Sequence, residues 1–211
     1  MAELPFGRGY RVGENAGVNQ GESWDARSRA MARRDEWMIS PFRAYGSDAT
    51  SNTGYGQYLR LMLLPQLDNI LEATHARIRV TTANAGSFVK SCIYRLETGD
   101  GQKKLVKVPL SEVVLLGDTA AVQTEKLAGP AVLYPESRYF MCAYVSNSSI
   151  GLSSGVNNLQ RIVPVLTFVV TLASSGDRLP PSIDVGETSK RFDAYVPWVV
   201  FMSDMAKEIL T

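Results

Sequence analysis

One stretch constrains this chain more than any other: Leu133-Tyr134-Pro135-Glu136-Ser137-Arg138-Tyr139-Phe140-Met141-Cys142-Ala143-Tyr144-Val145-Ser146. A proline-containing turn feeds a run of aromatic, β-branched and small residues with almost no charge. The run is too short for an ordinary helix and too apolar for a surface loop. Neither the odd set (Tyr139, Met141, Ala143, Val145) nor the even set (Phe140, Cys142, Tyr144) seeks water, so the pattern predicts a strand buried on both faces. Such a strand needs cover on two sides, which calls for a sheet packed on another layer.

The rest of the chain from Tyr58 onward supplies further strands. Tyr58 to Leu64 reads as a strand ended by Pro65, and Gln66 to Ala73 as a turn or short helix. Ala76, Ile78 and Val80 alternate with Arg77, Arg79 and Thr81, the signature of a half-exposed strand. Phe88 to Leu96 follows, with Cys92 and Tyr94 on one face and Val89 and Ile93 on the other. Thr98-Gly99-Asp100-Gly101 is a hairpin signal, because Asp-Gly suits a tight turn that needs positive φ. Lys104 to Leu110, Glu112 to Leu116 and Ala121 to Leu127 are the next strands, and Gly129-Pro130 reads as the break after them. Asn147 to Asn158 is polar and Gly/Ser-rich, and reads as a surface loop able to carry a site. Arg161 to Leu172 and Tyr195 to Met202 are apolar strands, Gly176 to Pro181 is a loop, and Met205 to Leu210 a terminal helical turn. Eight or nine strands with little helix between them predict an all-β fold, an antiparallel β-sandwich of jelly-roll or Greek-key type, with a closed barrel as the alternative.

Residues 1–57 have a different character and are expected to form an extended, partly helical N-terminal arm, leaving 58–211 as the sandwich domain. A short helix is expected near 23–38, capped by Ser23, with Trp24, Met31 and Met38 recurring every seven residues. Arg27, Arg29, Arg33 and Arg34 occupy its other faces, partly offset by Asp35 and Glu36. Such a helix either docks on a neighbour or packs on its own domain. Residues 40–57 read as a loop, yet Tyr45 and Tyr55 are more apolar than a free linker carries. The candidate partner-binding residues are Phe6, Tyr10, Trp24, Arg27, Met31, Arg34, Trp37, Tyr45 and Tyr55.

Composition excludes more than it assigns. A formal charge of +1 over 211 residues gives no electrostatic case for nucleic-acid binding. The start of the chain lacks the basic-then-apolar pattern of a signal peptide, and the longest apolar run, Ile162 to Leu172, is too short for a membrane span. Cys92 and Cys142 read as two buried thiols, with a cross-strand disulfide as the alternative. The one histidine, His75, cannot make a multi-histidine metal site, and no G-x-S-x-G elbow supports a triad. The carboxylates Glu97, Asp100, Glu112, Asp118, Glu125 and Glu136 fall mostly at turns, where solvated charge is the plain explanation. A sugar-binding face would use exposed aromatics; Tyr134, Tyr139, Tyr144 and Trp198 are the right types, but core packing explains them more simply. No enzymatic activity, cofactor or metal is expected.

The order of these motifs resembles a known group. Ala76-Arg77-Ile78-Arg79-Val80-Thr81-Thr82-Ala83-Asn84-Ala85-Gly86-Ser87, then Cys92-Ile93-Tyr94-Arg95-Leu96, a Gly/Asp turn, a valine-rich pair, and Leu133 through Tyr144 resemble β-sandwich domains of tailed-bacteriophage virion proteins. In those domains an inward-alternating strand precedes a Gly-Ile-Tyr-like strand, and a Leu-x-Pro-Gly-x-Tyr-Trp-like strand follows. Here Ser91-Cys92 replaces the glycine, Glu136 the turn glycine, and Phe140 the tryptophan. The resemblance covers about residues 74–146 and brings no active site with it. It implies a structural protein of the virion, assembled in the host cytoplasm: a capsid decoration or cement protein, or else a tail, fibre or baseplate component. The implied partners are other virion structural proteins and further copies of the chain, held through the N-terminal arm. A module binding host-surface glycans through residues 147–158 is the other reading.

Overall fold

Every side chain of Tyr139–Val145 is buried, on both parities, as the pattern predicts. The computed structural model describes residues 38–39, 48–52, 58–99, 101–155, 165–171, 178–193, 196–197 and 199–204. In chain order the strands are β1 (Met38–Ile39), β2 (Asp48–Asn52), β3 (Tyr58–Leu63), β4 (Leu71–Thr82), β5 (Phe88–Gly99), β6 (Gln102–Lys107), β7 (Val113–Leu116) and β8 (Val122–Leu133). They continue as β9 (Tyr139–Val145), β10 (Gly151–Gly155), β11 (Val165–Thr171), β12 (Ser182–Asp184), β13 (Ser189–Asp193), β14 (Val196–Pro197) and β15 (Val199–Met202). One 3-10 turn, Val185–Glu187, separates β12 from β13 and is capped by the Asp184 carboxylate, which accepts from Gly186 N at 2.8 Å.

The fold is all-β and forms two antiparallel sheets. The first runs β1-β15-β4-β10-β14, with β8 on the other side of β4 and β2 on β10. The second runs β12-β6-β5-β9-β3-β11-β13, with β7 beside β6 on β5. One apolar core draws on both sheets: Ala76, Ile78, Val80, Val199 and Phe201 from the first meet Val89, Ile93, Met141, Ala143 and Val145 from the second. The second sheet also curls around a core of its own. Leu59, Leu61, Cys92, Tyr94, Leu105, Phe140, Cys142, Tyr144 and Phe168 fill its other face, and Leu179 and Ile183 close over them. Two cores on opposite faces explain why β9 carries no polar residue.

Local chemistry sets the register. The β5–β6 ladder reaches Gly99↔Gln102, and Gly101 has φ +75°. β5 and β6 thus form the hairpin expected from the Thr98–Gly101 turn signal. Between β6 and β7 the chain turns through Leu110, a non-glycine residue at φ +62°. Buried Ser111 anchors this corner: its Oγ donates to Val108 O at 2.7 Å and accepts from Ile93 N at 3.1 Å. Buried polar groups persist only when partnered in this way.

Several expectations need correction. β4 begins at Leu71, so part of the stretch read as a turn or short helix is strand. Leu71 and Ala73 face inward, then Ala76, Ile78 and Val80 do, so the parity flips across Thr74 and His75. The cause is a bulge: Ala73 pairs with Ala131 but His75 pairs with Lys126. Gly129-Pro130 lies inside that bulge and does not end β8. A Cβ on Gly129 would stand 2.8 Å from Leu110 Cδ1, the tip of an exposed side chain that would have to turn aside. The stretch read as loop 40–57 contains β2, which pairs with β10. β12 and β13 fall in sequence assigned to no strand, and the strand expected over Tyr195–Met202 is present as β14 and β15.

Candidate interaction surface

The nine residues singled out for partner binding, Phe6, Tyr10, Trp24, Arg27, Met31, Arg34, Trp37, Tyr45 and Tyr55, lie outside the described residues, as do residues 23–37 of the expected helix; its last residue, Met38, is in strand β1 rather than helix. From the same leading segment, β1 pairs with β15 through Met38↔Met202, and β2 pairs with β10 through Leu152↔Asn52.

The polar stretch after Ser146 is not a free loop in its described part. Asn147 to Ile150 form a tight turn, with Ile150 N donating to Asn147 O at 3.2 Å. The chain then enters the first sheet as β10, beside β4. Ile150 and Leu152 are buried, and Gly151 sits where a Cβ would be 2.7 Å from Thr82 Oγ1 and 2.8 Å from Thr81 Oγ1. Gly151 serves close strand packing here; residues 156–158 lie outside the described residues. Of the aromatics weighed for sugar binding, Tyr139 and Tyr144 are core residues and Tyr134 is exposed; Trp198 lies outside the described residues.

A surface that sequence reasoning missed lies along β7 and β8. β7 alternates strictly: Val113 and Leu115 are buried, while Val114 and Leu116 are 50% and 59% exposed. Leu116 pairs with Phe88 and Val114 with Lys90 across β5. The end of β7 is tied to the start of β8 by Gln123, whose Nε2 donates to Leu116 O at 2.7 Å, and Val122 beside it is exposed. At the far end of β8, Val132 and Tyr134 are exposed, as is Ile70 at the mouth of β4. The Leu71↔Leu133 and Glu72↔Val132 pairs bring these three to one end of the β4–β8 ladder. Among the described residues β8 pairs only with β4, so its other side is an edge. The available signal was the Val-Val-Leu-Leu run itself, which fits burial on both faces and gives no hint that one face is wet.

The titratable groups of the described residues are arranged as supports. His75 is buried, and its Nδ1 lies 2.9 Å from Thr74 Oγ1 and 3.2 Å from Asp204 Oδ1, on a carboxylate that stands in solvent. Thr74 Oγ1 lies 2.9 Å from the same Asp204 oxygen. Lys107 Nζ bridges Glu112 Oε2 at 2.6 Å and Leu179 O at 3.1 Å, fastening the segment that closes the second core. Arg95 pairs with Glu97 at the surface. Among the described residues no three histidine, cysteine or carboxylate side chains are grouped for a metal. Within the second core, Cys92 and Cys142 are free thiols, and burial pushes the Cys92 thiol well above its ordinary range. Burial does the same to the Tyr94 phenol.

A scan against protein-family models finds no match for this chain, and a search of curated proteins finds none either.

Proposed function

We propose that this chain is a non-enzymatic structural subunit of a tailed-phage virion, acting as a capsid decoration or cement protein. The single observation that carries the reading is a pair of solvent-facing apolar groups, one at each end of β8: Val114, Leu116 and Val122 where β7 meets it, and Ile70, Val132 and Tyr134 where β4 begins. Scattered apolar residues are ordinary on any surface, but clustered ones mark sites of contact. An edge strand beside them offers backbone donors and acceptors to a neighbour. The motifs that resemble virion domains supply β4, β5 and β9, the strands at the centre of both sheets. β9 lies between β3 and β5, and β4 between β8 and β15, neighbours distant in sequence. We read that connectivity as a jelly-roll- or Greek-key-like sandwich. Homo-oligomers and other virion proteins are the partners, with residues 1–57 adding a second contact.

The test uses the full chain. Light scattering after size exclusion reads its association state, and immunogold labelling of virions from a producing host reads its place. Oligomers in solution and label across the capsid support the proposal. Label confined to tails or fibres overturns the decoration role, and a monomer absent from particles overturns the virion assignment.

A further inference from the structure

We propose that Cys92 and Cys142 are a cross-strand dithiol that closes to a disulfide if the chain folds in the presence of a small-molecule disulfide, and that burial then locks whichever state was made. The inference is independent of the virion reading. The two residues are direct register partners on β5 and β9. Their sulfurs lie 3.2 Å apart, and Cys92 N donates to Cys142 Sγ at 3.1 Å. Closing to a bond of about 2.05 Å takes a shift of roughly 1 Å, within the reach of rotation about the two Cα–Cβ bonds.

The lock follows from position. Both thiols are fully buried among Tyr94, Phe140 and Tyr144. β5 is flanked by β6 and β7 on one side and β9 on the other, and β9 by β5 and β3. Neither strand is an edge, so fraying exposes neither sulfur, and opening between them approaches global unfolding. The raised Cys92 thiol further depletes the reactive thiolate in the folded state.

During folding the chemistry is ordinary exchange. One protein thiolate attacks a glutathione-type disulfide, forming a mixed disulfide and expelling one glutathione thiolate. The second protein thiolate attacks the protein-side sulfur of that mixed disulfide and expels the other. Two protein thiols give up two electrons and two protons; the small disulfide takes both and leaves as two thiols.

The experiment needs no variant. The full chain is unfolded with reductant, then diluted either into mixed oxidised and reduced glutathione or into reductant alone. Soluble protein from each arm is alkylated in denaturant and weighed intact. The expected oxidising product is lighter by two hydrogens, takes no alkyl group, and yields one linked peptide pair; the reducing product takes two alkyl groups. Across the 50 positions separating the cysteines, the cross-link raises Tm by about 10 °C. After folding, exchanging the two buffers leaves each mass unchanged over hours. Two alkylated thiols or glutathione adducts after oxidative refolding overturn the pairing. Conversion of either folded form within minutes overturns the lock.

Discussion

The phenolic hydroxyl of Tyr94 donates a 2.7 Å hydrogen bond to the main-chain carbonyl of Pro180. Tyr94 is a buried residue in the middle of the second core, and Pro180 belongs to the segment that closes that core beside Leu179. The bond therefore fixes a polar cover to an apolar interior. Lys107 reinforces it, its backbone N donating to Pro181 O at 2.9 Å and its ammonium to Leu179 O. Tyr94→Phe keeps the ring and removes the donor. The expected loss is about 1–2 kcal/mol in urea unfolding, with faster hydrogen exchange confined to residues 178–187. Unchanged exchange in that segment, with or without a stability loss, contradicts the fastening role.

Three glycines test two different costs. A Cβ on Gly151 would meet Thr82 Oγ1 at 2.7 Å and Thr82 Cβ at 2.9 Å, and one on Gly117 would meet Ile150 Cδ1 at 2.7 Å and Ser87 O at 3.0 Å. Gly117 is further fixed by main-chain bonds, its N donating to Ser87 O and its O accepting from Asn84 N. Gly86, at φ +71°, has nothing within 4 Å of the added atom. Gly151→Ala and Gly117→Ala are expected to lose about 1–3 kcal/mol through overpacking, and Gly86→Ala about 1 kcal/mol through backbone strain alone. Urea midpoints of the three variants give the ranking, and Gly86→Ala as the costliest contradicts it.

These positions also show what the sequence could reveal. Period-two burial was legible wherever one face met the core, as at Ala76, Ile78 and Val80, and the uncharged run of β9 announced burial on both faces. β10 was hidden because its Gly-Leu-Ser-Ser-Gly composition looks like loop chemistry, although Gly151 is where the strand closes on Thr81 and Thr82. β8 was cut short because Gly129-Pro130 is a breaker in isolation, and only the bulge opposite Thr74 makes room for it. β13 reads Ser-Lys-Arg-Phe-Asp and pairs only with β11 among the described residues, so its polar composition is that of an edge strand. The exposed faces of β7 and β8 were illegible for the converse reason: apolar composition cannot say which side a neighbour covers.

The buried thiol predicts a pH dependence of stability. Burial raises the Cys92 thiol well above its unfolded value. Above about pH 8.5 the unfolded chain sheds this proton and the folded chain keeps it. The folded state then binds more protons, so stability falls as pH rises, by about 1.4 kcal/mol per pH unit for one thiol. Below that pH the contribution is fully present. The measurement compares urea unfolding of reduced protein and Cys92→Ser from pH 7 to 10. The difference between the two is expected to stay flat to about pH 8.5 and then shrink. A difference that stays constant to pH 10 contradicts the prediction.

The surface of β7 separates stability from assembly. Leu116 and Val114 face solvent, whereas Leu115 between them is fully buried. Replacing an exposed apolar side chain by lysine removes no core contact, so Leu116→Lys is expected to stay within about 0.5 kcal/mol of the parent, and Val114→Lys, which sets a second cation opposite Lys90, within about 1 kcal/mol. Leu115→Ala, by contrast, leaves a hole between the sheets and is expected to cost about 2–5 kcal/mol. If subunits meet along β7, the lysine variants bring a charge into a desolvated contact and lower the association constant at least tenfold, a change of about 1.4 kcal/mol. Paired measurements decide the matter: thermal unfolding for the fold, and sedimentation or particle binding for the contact. Lysine variants that associate like the parent place the interface elsewhere on the molecule. Lysine variants that unfold like Leu115→Ala contradict the burial pattern of β7 itself.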